Sequence, residues 1–258
     1  MVLTTPCRRP RARSERLGAR SERPGAGSER PGHVVSGGSS TAGARRPVGA
    51  PPSVAVVDYG MGNLASVAKA LERVGAGVRV VDAAAGLKGA DALVLPGVGA
   101  FRDAAARLEA TGLGPAVVER IAAGVPFLGV CLGLQLLFES SAEGGRWAGL
   151  GVLDGTVERL ETGLKVPHMG WNEVTWAAAG AGMACGLPAP AAFYFVHSYA
   201  ARPADDDVIA ATADYGGPVV AAVARDNVWA VQFHPEKSSA TGLALLSNFV
   251  GLAQEKWR

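Results

Sequence analysis

The sequence predicts an α/β fold, in which a doubly wound, mostly parallel sheet carries helices on both faces and an antiparallel C-terminal extension. From Val54 onward, short β-branched runs alternate with helically spaced apolar residues. After Gly149 the runs become shorter and turn residues more frequent, which is typical of antiparallel strands. Hydrophobic residues make up 48% of the chain and charged residues 19%, so it can bury a core.

The first half of this region is predicted to follow a β-α-β order. Val54–Asp58 is a β-branched run typical of a strand buried in a parallel sheet. A helix from Leu64 to Val74 follows, and Gly75 is its stop signal. Further strands are expected at Val78–Val81, Ala92–Leu95 (ended by Pro96) and Val125–Val130, and further helices from Phe101 to Leu108 and from Gly133 to Glu139.

The second half is predicted to consist mainly of short strands before a last helix. Asp154-Gly155 is a hairpin turn signal between two apolar pairs, and Asp226-Asn227 is a second turn. The strands are expected at Glu173–Trp176, Phe193–Val196, Val219–Ala224 and Trp229–Phe233, and the helix from about Thr241 to Gln254.

Charge and composition separate a tail from this body. Residues 1–50 hold ten arginines and three glutamates, a net +7, whereas the other 208 residues carry a net −5. The tail also repeats itself (RSERLG at 13–18, RSERPG at 20–25) and has no aromatic residue. We therefore expect residues 1–52 to be disordered or to reflect a start placed too far upstream. A basic arm that contacts RNA or anionic lipid is the alternative.

Several classes of protein are disfavoured by composition. The longest stretch without charged residues, Val174 to Ala201, is interrupted by three glycines and two prolines, so we expect no membrane span. The three cysteines cannot form a disulfide framework and match no zinc spacing with the four histidines. We expect a cytoplasmic protein with no metal site.

The sharpest local feature is G-x-C-x-G at Gly129, Cys131 and Gly133, between a buried strand and a helix. This is the arrangement of a nucleophile elbow, with cysteine in place of serine. The position at a helix N-terminus favours the thiolate, which is the nucleophilic form. We therefore predict that Cys131 is a nucleophile, although a buried cysteine that only fills space is the alternative.

A cysteine nucleophile needs a base that is itself held by a third group. Gln232-Phe-His234-Pro-Glu236 ends the last predicted strand. Residues two apart project to the same side of an extended segment, so Glu236 can orient His234. We predict Cys131, His234 and Glu236 as the catalytic residues.

Acyl transfer also requires donors for an oxyanion. The N–H of Leu132, directly after the nucleophile, is one candidate. The second is the Gly97–Val98 peptide in Leu95-Pro-Gly-Val-Gly99, which follows the third strand at the same edge of the sheet. An ordinary strand-to-helix turn is the alternative for this second segment.

Other motifs allow different interpretations. Gly60-Met-Gly-Asn-Leu-Ala65, with Asp82 further on, matches a dinucleotide-binding fingerprint, and a non-catalytic nucleotide-binding module is thus a competing hypothesis. By themselves, His168 and His197 suggest structural, half-exposed histidines at strand ends, and Cys185 suggests an inert thiol.

Taken together, the elbow, the Q-F-H-P-E-K-S segment and the P-G-V-G-A-F loop resemble the class I (triad) glutamine amidotransferases. K-V-P-H-M-G-W-N (165–172) and Y-F-V-H-S-Y (194–199) are similar to the glutaminase subunits of imidazole glycerol phosphate synthases. An amidotransferase subunit of another pathway is the alternative. The resemblance implies an amidotransferase domain over residues 53–258.

The resemblance also implies roles for individual residues. Cys131 would attack the carboxamide of L-glutamine, with His234 as general base and acid. The substrate would be held by Gln135, Glu143, His197, Ser198 and Tyr199. His168, Trp171, Asn172 and Lys237 would lie at a partner interface.

The implied partner is a (β/α)₈-barrel cyclase subunit in a heterodimer. It would use the ammonia to make imidazole glycerol phosphate and aminoimidazole carboxamide ribotide in histidine biosynthesis. No cofactor, nucleic acid or membrane is implied.

Overall fold

The computed structural model describes residues 50–255. The strands are β1 (Ser53–Val57), β2 (Gly77–Val81), β3 (Ala92–Gly97), β4 (Phe127–Cys131), β5 (Phe138–Ser141), β6 (Trp147–Ala148), β7 (Leu153–Arg159), β8 (His168–Trp176), β9 (Ala191–His197), β10 (Tyr199–Pro203), β11 (Ile209–Asp214), β12 (Pro218–Arg225) and β13 (Val228–Val231). The helices are α1 (Leu64–Arg73), α2 (Phe101–Ala110), α3 (Leu113–Ala122), α4 (Leu132–Gln135), α5 (Ala181–Ala184) and α6 (Ser239–Glu255). The predicted tail lies, up to residue 49, outside the described residues.

Nine strands form one sheet in the order β2-β1-β3-β4-β13-β12-β11-β8-β9. The first five run parallel to their neighbours, and from β13 to β9 each pair is antiparallel. The parallel part is the doubly wound sheet predicted from the β-α-β order, and the antiparallel part is the predicted extension. The fold class is therefore confirmed.

Helices cover both faces of the parallel part. Val54 and Val56 of β1 belong to one apolar cluster, which includes side chains of α1 and α6. Ala55 and Val57 belong to the other, which includes side chains of α2 and α3. Successive residues of a strand point to opposite faces, so a continuous apolar run such as β1 can support helices on both sides.

The predicted helix from Gly133 to Glu139 is wrong. Helix α4 ends at Gln135, and β5 follows. Together with β6, β7 and β10, this strand forms a second sheet, in the order β10-β7-β5-β6. Phe138 is fully buried there. The prediction failed because a short apolar run fits a buried strand as well as it fits the buried face of a helix.

The predicted hairpin turn at Asp154-Gly155 is also wrong. Both residues lie inside β7, where the register with β5 shifts. Gly155 has a φ of +123°, and its N–H donates to the Glu139 carboxylate at 2.9 Å. The glycine thus marks a β-bulge.

Two smaller differences concern β3 and α3. The ladder between β3 and β4 continues past Pro96, so that Gly97 lies opposite Cys131. Helix α3 is not predicted, although Leu113, Val117 and Ile121 recur at helical spacing and are buried. Over residues 50–255, no helix is long and apolar enough to cross a membrane.

Candidate active site

Cys131 lies at the junction of β4 and α4. Its backbone has φ 55° and ψ −106°, a region that residues other than glycine seldom adopt. The residue is 7% exposed. A strained backbone at a strand-to-helix turn is the geometry of a nucleophile elbow, as the sequence predicts.

The two glycines around Cys131 allow this sharp turn. A Cβ atom on Gly133 would lie 1.8 Å from the backbone oxygen of Leu95, and one on Gly129 would lie 2.7 Å from the backbone oxygen of Gly133. Both positions therefore exclude a side chain. Helix α4 can pack directly on β3 and β4 only because the Cβ atoms are missing.

His234 and Glu236 form a buried pair just after β13. His234 Nδ1 and Glu236 Oε1 are 2.8 Å apart, and the two side chains are 3% and 2% exposed. Among residues 50–255, neither His234 Nε2 nor Glu236 Oε2 has a hydrogen-bond partner, although both atoms are buried. Strand β13 is paired with β4, which brings the histidine next to Cys131.

The environment of His234 favours its charged form. Burial lowers the pKa of this imidazole, but the polar contacts and negative charges of Cys131 and Glu236 raise it to about 9. An imidazolium at neutral pH stabilises a thiolate beside it and can later protonate a leaving amine.

Ser238 fixes the backbone around this pair and was not predicted to do so. Its hydroxyl donates to the His234 carbonyl at 2.6 Å and accepts from the Tyr194 N–H at 3.0 Å. Ser238 is fully buried. Ser, Thr and Asn side chains that bond to nearby backbone are typical of turns, which is the signal that could have found it.

The two predicted oxyanion segments lie next to Cys131. Gly97 is paired with Cys131, Val98 is 40% exposed, and Leu132 begins α4. A Cβ atom added to Gly97 would lie only 2.2 Å from the hydroxyl oxygen of Tyr59, so this hydroxyl fills the space that a side chain would need. This hydroxyl is buried and has no hydrogen-bond partner within residues 50–255, and nothing in the sequence singles it out.

A cavity of about 310 Å³ opens over Cys131, at the lower end of ligand-site volumes (roughly 300–1,000 Å³). Its lining includes all five residues predicted to hold the substrate, namely Gln135, Glu143, His197, Ser198 and Tyr199, and also Val98, Leu132 and His234. The Glu143 carboxylate accepts the N–H of Phe101 at 2.7 Å, which ties it to the start of α2.

His168 and His197 are buried, not half-exposed as their positions at strand ends suggested. They are 2% and 6% exposed, and His168 Nδ1 and His197 Nε2 are 2.9 Å apart. Rings of Phe195 and Tyr215 stack on His168 at 4.6 and 4.0 Å. Burial lowers the pKa of each histidine to about 4, so both are neutral at pH 7.

The four residues predicted to face a partner differ in exposure. Trp171 is 55% exposed and Lys237 is exposed, whereas Asn172 is half-buried. The Asn172 amide points inward, 3.2 Å from His168 Nε2. His168 and Asn172 lie on the same side of β8, because alternate residues of a strand share a face. His168 thus lies beneath the predicted interface and supports it from the interior.

The glycine-rich turn of the competing hypothesis is packed against protein. A Cβ on Gly60 would lie 2.4 Å from Arg107 Nη1, and the Asn63 side chain caps the first turn of α1 by accepting from the Ser66 N–H. The backbone at the start of α1 is thus capped by the chain itself, and the arginine side chain lies against the turn. Among residues 50–255, no group of three or more His, Cys, Asp or Glu side chains could hold a metal ion.

This fold and elbow define a class of enzyme, and sequence comparison agrees. A family model described as class-I glutamine amidotransferase matches residues 55–252, and the chain belongs to that family. Solved structures with the same fold include a glutamine amidotransferase (TM-score 0.63, 24% identity, 78% of this chain and 98% of that one). The structure of PurLQS from Thermotoga maritima contains a similar chain (0.62, 18%, 80% and 99%).

More similar relatives carry a more specific name. An imidazole glycerol phosphate synthase subunit HisH from Moorella thermoacetica is 52% identical over 196 residues, which cover 76% of this chain and 93% of the relative. Its namesake from Thermosynechococcus vestitus is 51% identical over 207 residues, 79% of this chain and 99% of the relative. The resemblance carried by the elbow and by P-H-M-G-W-N is confirmed.

Proposed function

We propose that this chain is the glutaminase subunit of an imidazole glycerol phosphate synthase, which releases ammonia from L-glutamine for histidine biosynthesis. The observation that carries the proposal is Cys131, held at a positive φ beside a buried His234–Glu236 pair. The names of relatives about 50% identical support the pathway.

In the first half of the reaction, the Cys131 thiolate attacks the carboxamide carbon of glutamine. The N–H groups of Leu132 and of the Gly97–Val98 peptide stabilise the oxyanion. The His234 imidazolium gives its proton to the departing nitrogen, so that ammonia leaves and a γ-glutamyl thioester forms.

In the second half, neutral His234 takes a proton from water, and the hydroxide attacks the thioester carbonyl. Glutamate leaves, and the sulfur departs as the thiolate beside a regenerated imidazolium. Glu236 orients the imidazole and stabilises its charge throughout. No metal or cofactor enters these steps.

Different pocket residues bind the ammonium group and the carboxylate group of glutamine. The Glu143 carboxylate binds the substrate ammonium group, and Gln135 adds a polar contact on the first turn after the elbow. Ser198 and Tyr199, with His197 behind them, hold the carboxylate end from the strand edge. This assignment places the side-chain amide of glutamine over Cys131.

The partner is a (β/α)₈-barrel cyclase subunit that receives the ammonia. Trp171 and Met169, 55% and 60% exposed, lie on one face of β8, and Lys237 lies next to the catalytic pair. Exposed aromatic side chains of this kind are frequent anchors of protein interfaces. A cytoplasmic location is proposed because Cys131 must stay a reduced thiol.

Glutamine hydrolysis, measured with and without the cyclase partner and its ribonucleotide ligand, tests the proposal. Cys131→Ala is expected to lower kcat by about 10⁴-fold or more, since an enzyme without its nucleophile retains only the residual effect of binding and oxyanion donors. Cys185→Ser serves as the control and should keep full turnover. Retained turnover in Cys131→Ala, or a partner that is not a barrel cyclase, would refute the proposal.

A further inference from the structure

One backbone carbonyl determines the orientation of several buried side chains around the pocket. The Tyr199 oxygen accepts from Gln135 Nε2 at 3.0 Å and from His197 Nδ1 at 2.9 Å. A carbonyl can only accept a hydrogen bond. Gln135 must therefore direct its NH₂ group, not its oxygen, toward this carbonyl.

The orientation of Gln135 in turn fixes that of Gln232. Gln135 Nε2 has a second proton, and it donates to Gln232 Oε1 at 3.0 Å. With its oxygen used in this way, Gln232 must present its own NH₂ group on the other side. That group lies 3.8 Å from Cys131 Sγ, within hydrogen-bond range for sulfur.

We propose that Gln232 is a catalytic residue, whose side-chain amide donates a hydrogen bond to the Cys131 sulfur and stabilises the thiolate. Gln232 is fully buried, and a buried amide that donates to an anion makes a stronger bond than one that donates to a neutral group. The inference rests on the proposed role of Cys131 as nucleophile.

The amide has a property that the imidazole lacks. In the proposed reaction His234 gives up its proton during acylation, and its positive charge disappears. Gln232 keeps both amide protons in every step, since an amide does not titrate in this range. Its bond therefore stabilises the sulfur before attack and again when the sulfur leaves the thioester.

Alkylation of Cys131 with iodoacetamide between pH 5 and 10 tests this role in the full-length chain, with the modified peptide quantified by mass spectrometry. In Gln232→Met, we expect the midpoint of the alkylation curve to move upward by about one pH unit, because a lost hydrogen bond to a charged group has roughly this effect. A residue that only fills the core would change the melting temperature and leave this midpoint in place.

The matched control is Asn248→Leu, which also removes an amide with two hydrogen bonds, to the Met183 and Cys185 carbonyls. Its alkylation curve should coincide with that of the unmodified chain. If Gln232→Met does not fold, Gln232→Asn takes its place, since a side chain one methylene shorter cannot reach both Gln135 and the sulfur.

Coincident curves for the unmodified chain and the Gln232 variant would overturn the proposal, even if the variant melts at a lower temperature. The assay needs no glutamine turnover, so its outcome is separate from that of the proposed function. A shifted midpoint in a chain that hydrolyses no glutamine even with the cyclase partner would support the hydrogen bond from Gln232 to the Cys131 sulfur and refute the proposed glutaminase activity.

Discussion

The two halves of the large sheet build their shares of the site by different means. The parallel half provides Cys131, the proposed nucleophile, and positions it through the backbone: Cys131 has a positive φ, and Gly133 lets α4 touch β3. The antiparallel half, taken from β13 to β9 with the segment that follows β13, provides side chains joined by hydrogen bonds, among them His234–Glu236 and His168–His197. Backbone constraints tolerate little change, whereas a side-chain network can be weakened one bond at a time.

The strongest way to break this contrast is Gly133→Ala in the parallel half. The added methyl group would lie 1.8 Å from the Leu95 oxygen, and backbone cannot yield as a flexible side chain does. We expect the free energy of unfolding to fall by about 3 kcal/mol or more and glutamine turnover to be lost, as measured by urea unfolding and by the hydrolysis assay.

Gly251→Ala is the control for Gly133→Ala. This glycine lies in α6, and no atom of the part of the chain that the structure describes lies within 4 Å of its Cβ position. Alanine should stabilise the helix by about 0.5–1 kcal/mol there. Equal effects at both positions would show that the close packing of the elbow has no special importance.

A smaller effect is expected from Glu236→Gln in the antiparallel half. The amide oxygen can still accept from His234 Nδ1, but the negative charge that helps to raise the pKa of His234 to about 9 is gone. The active imidazolium is lost as pH rises through that pKa. The alkaline limb of kcat/KM should therefore move from near pH 9 downward by about one unit.

The control is Glu139→Gln, which changes a carboxylate that accepts the Gly155 N–H in the second sheet. Its pH profile should match that of the unmodified chain. An unmoved alkaline limb in Glu236→Gln would contradict the role of the Glu236 charge.

The smallest effect concerns His168 and His197, whose pKa values are about 4 in the folded chain. The unfolded chain binds protons below pH 6.5, whereas the folded chain does not until pH 4, so stability is lost as pH falls through this window. We expect Tm to drop by about 3–6 °C between pH 7.5 and 5.5, as followed by circular dichroism.

His234 partly opposes this acid effect. Its pKa is raised to about 9, so its contribution to stability grows as pH falls from 7.5 to about 6.5, and it changes little below that, where His234 is protonated in both the folded and the unfolded chain. His168→Gln should lower Tm at pH 7.5 and make it depend less on pH. The same slope in that variant and in the unmodified chain would show that other groups cause the loss.

The same contrast explains what the sequence could predict. Glycines at fixed distances from Cys131, and a proline that ends a strand after His234, are local signals, and they predict the elbow and the proposed catalytic pair. Strand β5 and the bulge at Gly155 could not be predicted, because both depend on pairing with strands distant in the chain. A short run of about four apolar residues fits a strand as well as a helix, so the sequence alone cannot distinguish the two.

The proposed role of Gln232 could not be predicted from the sequence either. Its position next to His234 is visible, but the direction of its amide depends on Gln135 and on the Tyr199 carbonyl, 97 and 33 residues away in the chain. Tyr59 is similar, since nothing in its local sequence shows that its hydroxyl lies against Gly97. Contacts between residues so distant in the chain can be recognised only once the fold is known.

The Tyr199 carbonyl has one more consequence, for proton traffic. Two chains of hydrogen bonds end at this oxygen, and it fixes the direction of the donors in both. One chain runs through Gln135 and Gln232 to the Cys131 sulfur, and the other runs through His197 to His168. Amides neither accept nor release protons near neutral pH, so the branch that reaches Cys131 cannot work as a proton wire. The Gln232 amide on this wall of the pocket can therefore stabilise negative charge on the sulfur without exchanging a proton with it, whereas the His234 imidazole can do both.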